Sequence, residues 1–299
     1  MRITRRAAGA LALGLACVPA AAQGVPGRDL LQFPLGLVAE APALSSLGAL
    51  GLWNPASVAL SAHRRWRYSG GTMTAPVDVG ASAQLLTVAR RVGEHTTAAF
   101  SLVHASVADL SRTESDPQSL GNIRYGTTMV SAILTRTVGP VTIGAAARRR
   151  SGALANAGSA TMAGDLGLTT RGFFGRRDLR AGVGSLLAAS TTAGERATYS
   201  AAADGRVVGV DTTRELRAGW SVSRTVGATS ERYPFLSARW QWLEARAGWL
   251  HTVAFGRAND RLRAAIAVHR ADYAVGVMRE ESAGGLGATY HFTMRVLRQ

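Results

Sequence analysis

Three arginines recur at the same place in a short motif of the sequence. Arg180, Arg217 and Arg246 each open an Arg-Ala-Gly triplet, and the triplets are spaced by roughly one β-hairpin. Arg136 and Arg295 lie near the ends of other stretches in which apolar and polar residues alternate. Guanidinium groups stay charged at physiological pH and bind carboxylates and phosphates through paired hydrogen bonds. A group of such arginines would either favour anions or pair with carboxylates of the protein itself.

The charge of the whole chain is strongly basic. Its 299 residues include 34 basic and 19 acidic side chains, which gives a net charge of +15, and none of the basic residues is Lys. A charge of this size is also typical of nucleic-acid binding, but the arginines are dispersed and no recognition motif accompanies them. We therefore expect no nucleic-acid partner.

No catalytic or metal-binding motif stands out. The sequence lacks G-x-S-x-G, H-E-x-x-H, a P-loop and G-x-G-x-x-G, and its six His residues are scattered without metal-ligand spacing. The one Ser-His-acid grouping that we single out is His104, Ser106 and Asp109, for which a histidine lining an interior is the favoured interpretation. We expect a protein that is not an enzyme and needs no cofactor and no metal; a hydrolase acting on lipid or peptide is kept as an alternative.

Residues 1–22 have the pattern of a secretory signal peptide. Basic residues at positions 2, 5 and 6 precede the apolar run from Ala7 to Val18, which ends in Pro-Ala-Ala-Ala-Gln. The chain's one Cys lies inside this segment, so the exported chain would have no disulfide. After residue 22, no stretch approaches the roughly 20 continuous apolar residues of a membrane helix.

From about Arg64 onwards, apolar and polar residues alternate with period two, the pattern of a strand with two different faces. The last strand is the clearest example, with one face formed by Leu286, Ala288, Tyr290, Phe292, Met294 and Val296. Runs of this kind reach about ten residues, the length of a tilted strand that crosses a bilayer. The apolar faces carry Trp or Tyr near their ends, as the aromatic girdles of membrane barrels do.

The connections support the same interpretation. Tight turns alternate with polar segments that we predict to be longer loops, at 108–122, 151–158, 190–196, 226–234 and 255–260. Short turns at one end and longer loops at the other are typical of outer-membrane barrels. The fold class predicted is all-β: an antiparallel transmembrane β-barrel of about 14 strands, with 12 as the alternative, over residues 63–299.

Residues 23–62 do not alternate. They are rich in Ala, Gly, Leu and Ser and close with Trp53, Asn54, Pro55 and Ala56. A signal peptide, a small-residue segment ending in W-N-P-A and then a barrel resembles the FadL-like superfamily, and in layout its PorV/PorQ-like members. The resemblance implies an N-terminal plug or hatch in the lumen, with Trp53 to Ala56 at the plug motif; the alternative is an ordinary Asn-Pro turn.

In such a barrel, Arg136, Arg180, Arg217, Arg246 and Arg295 are expected to face the lumen near the periplasmic mouth. There they would either favour anions or pair with carboxylates such as Asp165, Asp204 or Glu244 and with the plug. The arginines at 148–150 are expected beside an outer loop, where they would contact anionic headgroups of the outer leaflet or water.

We therefore expect a protein of the bacterial outer membrane, in contact with its lipid and lipopolysaccharide. The first hypothesis for its function is passage of a small hydrophobic or amphipathic solute. The second is a non-transporting barrel that anchors or binds proteins of a secretion or surface-attachment complex, and the third is the barrel-type hydrolase.

Overall fold

The computed structural model describes residues 24–33, 35–61, 63–76, 79–111, 121–173, 176–209, 211–254, 257–281 and 287–298. The predicted signal peptide lies outside these residues. No helix in the described part of the chain is both long and apolar enough to cross a membrane.

Fourteen of the described strands form one closed antiparallel barrel, and a fifteenth, very short strand pairs with it. The strands are β1 (Trp66–Thr74), β2 (Ala81–Arg91), β3 (Thr96–Ser111), β4 (Asn122–Val138), β5 (Val141–Leu154), β6 (Ala157–Phe173), β7 (Arg176–Leu186), β8 (Ala189–Ser190), β9 (Thr198–Gly209), β10 (Arg214–Thr225), β11 (Thr229–Trp240), β12 (Leu243–Ala254), β13 (Arg257–Arg270), β14 (Tyr273–Glu281) and β15 (Ala288–Arg298). Strands that follow one another in sequence pair, except that β7 pairs with β9 and the short β8 pairs with β6; the first strand pairs with the last. The predicted all-β barrel of about 14 strands is confirmed.

The two ends of the barrel differ in their connections. At the end where β1 begins and β15 finishes, strands are joined by turns of two to four residues. By the usual rule for outer-membrane barrels this is the periplasmic end. At the opposite end, three of the five predicted long loops are wrong: β5 and β6 are joined by residues 155–156, β10 and β11 by 226–228, and β12 and β13 by 255–256. The prediction took polar segments to be loops, but the parts of strands that extend beyond the bilayer are polar as well.

Alternate residues of the strands face opposite sides of the wall. The outward side chains include exposed apolar residues such as Leu134, Ile143 and Leu236, as a lipid-facing surface requires. Trp240, Trp242 and Tyr273 are exposed at the periplasmic end, in the position of an aromatic girdle. The inward side chains are mostly small or polar, which leaves room inside the barrel.

Residues 24–61, which we call the N-terminal segment, fill that room. The segment contains three short 3-10 helices: Asp29–Gln32, Pro42–Leu44 and Pro55–Val58. Its apolar side chains are buried against inward residues of the barrel, so that Leu52 and Trp53 share a cluster with Leu85 and Met129. The hydrophobic core of this protein therefore lies between the N-terminal segment and the barrel wall.

Candidate functional site

The wall of the barrel is irregular between β6 and β7. Cα pairing runs up to Gly167 and Gly184 and resumes two residues out of register at Gly164 and Ala189, where β8 takes over from β7. In the interval Leu187 has a φ of 60°, a left-handed conformation that non-glycine residues rarely adopt. The β6–β7 ladder is thus broken by a bulge halfway up the wall.

Side chains replace the missing backbone hydrogen bonds at this break. The Ser185 hydroxyl accepts from the amide of Leu166 at 3.0 Å and donates to the Leu166 carbonyl at 3.2 Å. One carboxylate oxygen of Asp165 accepts from the Ala188 amide at 2.8 Å. The two edges are therefore held together by a few polar contacts in place of a continuous ladder.

A cavity of about 1140 Å³ lies against the outer side of the break. Apolar side chains supply most of its lining and small residues form much of its floor, and Asp165, Arg224, Glu231 and Arg232 also line it; the apolar and small residues include Ile143, Ala145, Gly164, Leu166, Leu168, Val183, Ala188, Ala189, Tyr199, Ala201 and Val222. Several of them, such as Leu166 and Val183, belong to the exposed outer face. The surface beside the break is therefore a concave apolar site that opens towards the lipid side of the wall.

An ion pair closes the inner side of the same region. The Nε of Arg148 donates to Asp165, and both side chains are completely buried. The guanidinium also donates to the Ser131 hydroxyl at 3.0 Å and to the carbonyls of Gly51 and Leu52 at 2.9 Å. Arg148 therefore connects the break in the wall with the N-terminal segment, and we call this pair the wall latch.

The W-N-P-A motif lies next to the wall latch. Asn54 is fully buried; its side-chain oxygen accepts from the Ala56 amide at 3.0 Å, and its amide group donates to the carbonyls of Ala43 and Leu168. It caps the 3-10 helix that Pro55 begins. The indole of Trp53 donates to the Leu35 carbonyl at 3.3 Å. The motif thus forms a turn, and this turn contacts the wall.

Glycines on three adjacent strands make room for the motif. A Cβ at Gly144 would lie 2.4 Å from the amide nitrogen of Ala56, one at Gly167 2.0 Å from Asn54, and one at Gly184 2.5 Å from the Trp53 carbonyl. Because real Cβ atoms do not approach so closely, only glycine permits this packing. These glycines hold the motif against the strands on either side of the break.

A second buried arginine holds the start of the N-terminal segment. Arg150 donates to the carbonyls of Val25 at 2.7 Å and Pro26 at 2.8 Å and pairs with Glu195 at 2.5 Å. Burial lowers the pKa of the neighbouring Arg28 to about 10, although Glu195 opposes the shift. The prediction for residues 148–150 is therefore wrong: Arg148 and Arg150 point inward, and residue 149 alone points outward, because side chains alternate along β5.

Four of the five arginines predicted at the periplasmic mouth line the lumen there. Arg180 and Arg217 both pair with Asp204. Arg246 pairs with Glu244 at 2.7 Å and with Glu40 of the N-terminal segment at 3.1 Å. Arg295 donates to the Ser46 carbonyl at 3.0 Å. Three of these arginines are thus compensated by carboxylates, as the second of the two interpretations requires.

Arg136 is not part of this group. On β4 it is the neighbour Thr135 that points inward and is buried, whereas Arg136 is exposed on the outer face. It lies opposite Ile143, whose side chain is also exposed. Since side chains alternate, an error of one residue in assigning the face of β4 reverses its direction.

His104, the histidine of the His104, Ser106 and Asp109 grouping, does not face the lumen. His104 alternates with buried inward residues and is itself exposed, so the prediction that it lines the lumen is wrong. Its Nδ1 lies 2.9 Å from the Thr128 hydroxyl. The side chain of Asp109 lies outside the described residues. Among the described residues, no cluster of His, Cys, Asp or Glu could hold a metal ion.

Solved structures with the same architecture are outer-membrane barrels. A deltaS2S3 mutant of TodX, a monoaromatic hydrocarbon channel, aligns with a TM-score of 0.60 and 10% identity over 88% of this chain and 97% of that one. The P. putida toluene transporter TodX gives 0.54 and 9% over 85% and 97%. The monoaromatic hydrocarbon channel CymD gives 0.54 and 12% over 92% and 96%. The fold is FadL-like.

The sequence itself matches no protein-family model and no curated protein. At identities this low, the structural likeness shows the fold alone. The PorV/PorQ-like part of the resemblance rests on residues 53–56 and stays a prediction.

Proposed function

We propose that this protein is an outer-membrane barrel through which a small hydrophobic solute passes, and that the solute crosses the wall at the break between β6 and β7. The observation that carries the proposal is the interrupted ladder beside an apolar cavity. The barrel fold and its apolar outer face support an outer-membrane location, where we expect contact with lipid and lipopolysaccharide.

The chemistry of the cavity indicates the class of solute. Its volume of about 1140 Å³ is large enough for a small molecule, and its lining is largely aliphatic. TodX and CymD, which share the fold, are monoaromatic hydrocarbon channels. A small apolar or amphipathic compound would enter this site from the lipid side or leave through it.

Passage at this place requires the edges of β6 and β8 to separate, and a disulfide can prevent it. A Cβ at Gly164 would lie 3.8 Å from the Cβ of Ala189, which is the mean spacing in disulfides. After the predicted signal peptide, the chain has no Cys of its own that could compete for the disulfide. We therefore suggest the double variant Gly164→Cys/Ala189→Cys. Ala247→Cys/Ala264→Cys joins two directly paired residues on the far side of the barrel and is the matched control.

The assay is uptake of the hydrophobic dye N-phenyl-1-naphthylamine by cells that express each variant. We expect the oxidised β6–β8 variant to lose uptake and to regain it on reduction, while the control pair is indifferent to redox state. Uptake that stays at the wild-type rate in the oxidised β6–β8 variant contradicts passage through this wall.

The filled lumen favours one further candidate, the non-transporting barrel that anchors or binds proteins of a secretion or surface-attachment complex. Many apolar side chains of the N-terminal segment are almost completely buried, as in a sealed structure. Planar-bilayer conductance separates the candidates when the intact chain is compared with one that lacks residues 23–60, each shown to have inserted. If neither chain conducts, and dye uptake by the oxidised variant is unchanged, the non-transporting barrel is favoured.

A further inference from the structure

A second cavity, of about 520 Å³, opens at the periplasmic end of the lumen. We call it the periplasmic vestibule. Five arginines line it, and the described lining residues include no Asp or Glu; the arginines are Arg64, Arg67, Arg171, Arg180 and Arg295. The vestibule therefore concentrates positive charge in a confined space.

Two of the five arginines are compensated. Arg64 pairs with Asp272 at 2.5 Å, and Arg180 pairs with Asp204. Within the described part of the chain, Arg67, Arg171 and Arg295 have no ion-pair partner. Three guanidinium groups around one cavity thus lack a direct ion pair with any described carboxylate.

Arg67 and Arg295 are diagonal neighbours on the inner face of the wall, because Arg67 pairs with Leu297 and Arg295 with Ser69 in the β1–β15 ladder. Their terminal nitrogens donate only to neutral carbonyls of the N-terminal segment, at 3.0 to 3.4 Å. The Nε atoms of both are buried and lack a hydrogen-bond acceptor. Buried donors without acceptors are rare, and an anion would satisfy them.

Glu40 of the N-terminal segment is engaged by other partners. Glu40 accepts from the amides of Ser46 and Leu47, from the Ser46 hydroxyl at 2.5 Å, and pairs with Arg246. Its ion pair is therefore with Arg246, and it lies outside ion-pair distance of Arg67, Arg171 and Arg295. In a narrow opening with low-dielectric walls, their combined field attracts anions.

We propose that the periplasmic vestibule binds a small organic anion with two or more carboxylate or phosphate groups. Its volume is in the range of small-molecule sites. Guanidinium groups on opposite sides of the cavity bind separate oxyanion groups of one molecule, and hydroxyls such as Thr137 and Thr169 line the space between them. The site takes its ligand from the periplasm and does not depend on passage through the wall.

Isothermal titration of detergent-solubilised full-length protein with citrate at low ionic strength tests the site. Arg171→Gln is the cleanest variant, since Arg171 is exposed and holds no part of the N-terminal segment; Arg295→Gln is the second. Arg136→Gln removes an arginine at the same end of the barrel but on the outer face. We expect at least tenfold weaker binding in both vestibule variants, wild-type binding in the control, and weaker binding at higher salt.

Heat-modifiable migration on gels verifies that each variant is folded. Wild-type protein that binds citrate no more tightly than ~1 mM, or vestibule variants that bind as the wild type does, would overturn the proposal. The oxidised Gly164→Cys/Ala189→Cys variant should bind citrate like the wild type, so a failure of this site is distinguishable from a failure of the transport proposal.

Discussion

Replacing Asp165 by Asn removes the carboxylate of the wall latch and leaves the shape of the side chain almost unchanged. In the wild type this carboxylate accepts from Arg148 and from the Ala188 amide, in a region from which water is excluded. The variant leaves the guanidinium of Arg148 without a counter-charge.

The cost follows from the burial of the pair. Removing one partner of a buried ion pair costs about 3–5 kcal/mol, since the other charge stays uncompensated. Arg148 keeps its hydrogen bonds to Ser131, Gly51 and Leu52, at 2.9 to 3.0 Å. We therefore expect the lower end, about 3 kcal/mol, which is a factor of about 150 in the unfolding equilibrium.

Urea unfolding in detergent micelles, followed by tryptophan emission, measures this difference. With a slope of about 3 kcal/mol per molar, the midpoint should fall by about 1 M. Asp272→Asn is the matched control, because its salt bridge with Arg64 is partly exposed and such pairs contribute at most ~1 kcal/mol. The double variant Arg148→Gln/Asp165→Asn should be less destabilised than the two single changes added together.

A loss of stability in Asp165→Asn no larger than in the control would refute this reasoning. It would mean that the carbonyls of the N-terminal segment alone stabilise the charge of Arg148, and the carboxylate would then not be what holds the break closed.

Three further changes test other contacts. Gly167→Ala, which forces a Cβ into the W-N-P-A motif, should lower the free energy of unfolding by about 1–3 kcal/mol, whereas Gly164→Ala on the same strand should be nearly neutral in the same urea titration. Arg150→Gln should speed hydrogen exchange in residues 24–33 at least tenfold, because the charge-assisted bonds that hold them are lost; unchanged exchange by mass spectrometry would contradict this anchor. At the β9–β10 turn, the Thr213 hydroxyl and nearby amides hold the pKa of Asp211 below its usual range. Its stabilising effect should be complete at neutral pH and fade as pH falls through that lowered pKa, with no such change in Asp211→Asn when both are unfolded across acidic pH.

The period-two alternation along the chain is a local property, so the sequence itself determined the barrel, its approximate number of strands and the apolar outer face. A bilayer demands a strand of a certain length with one apolar face, and both can be counted in the residues. The carboxylate partners of Arg217 and Arg246 were foreseeable for the same reason, because inward charges in a low-dielectric interior need compensation.

The assignment of faces was less secure, because it depends on where each alternation begins. Arg136 was assigned one residue out of phase and therefore to the wrong side. The expectation that three consecutive arginines on β5 form one surface group overlooks that a strand sends the first and third to the same face. That rule, applied to residues 148–150, would have placed two of them in the lumen.

Tertiary structure alone decided where the barrel wall is weakest. The break depends on a two-residue slip in pairing between β6 and the chain around Ala189, and no local pattern of the sequence marks such a slip. Arg148 of the wall latch also contacts Gly51, far from it in the chain, and the vestibule brings together three arginines that have no ion-pair partner among the described residues. Such sites arise from which strands become neighbours, and therefore only the closed barrel shows them.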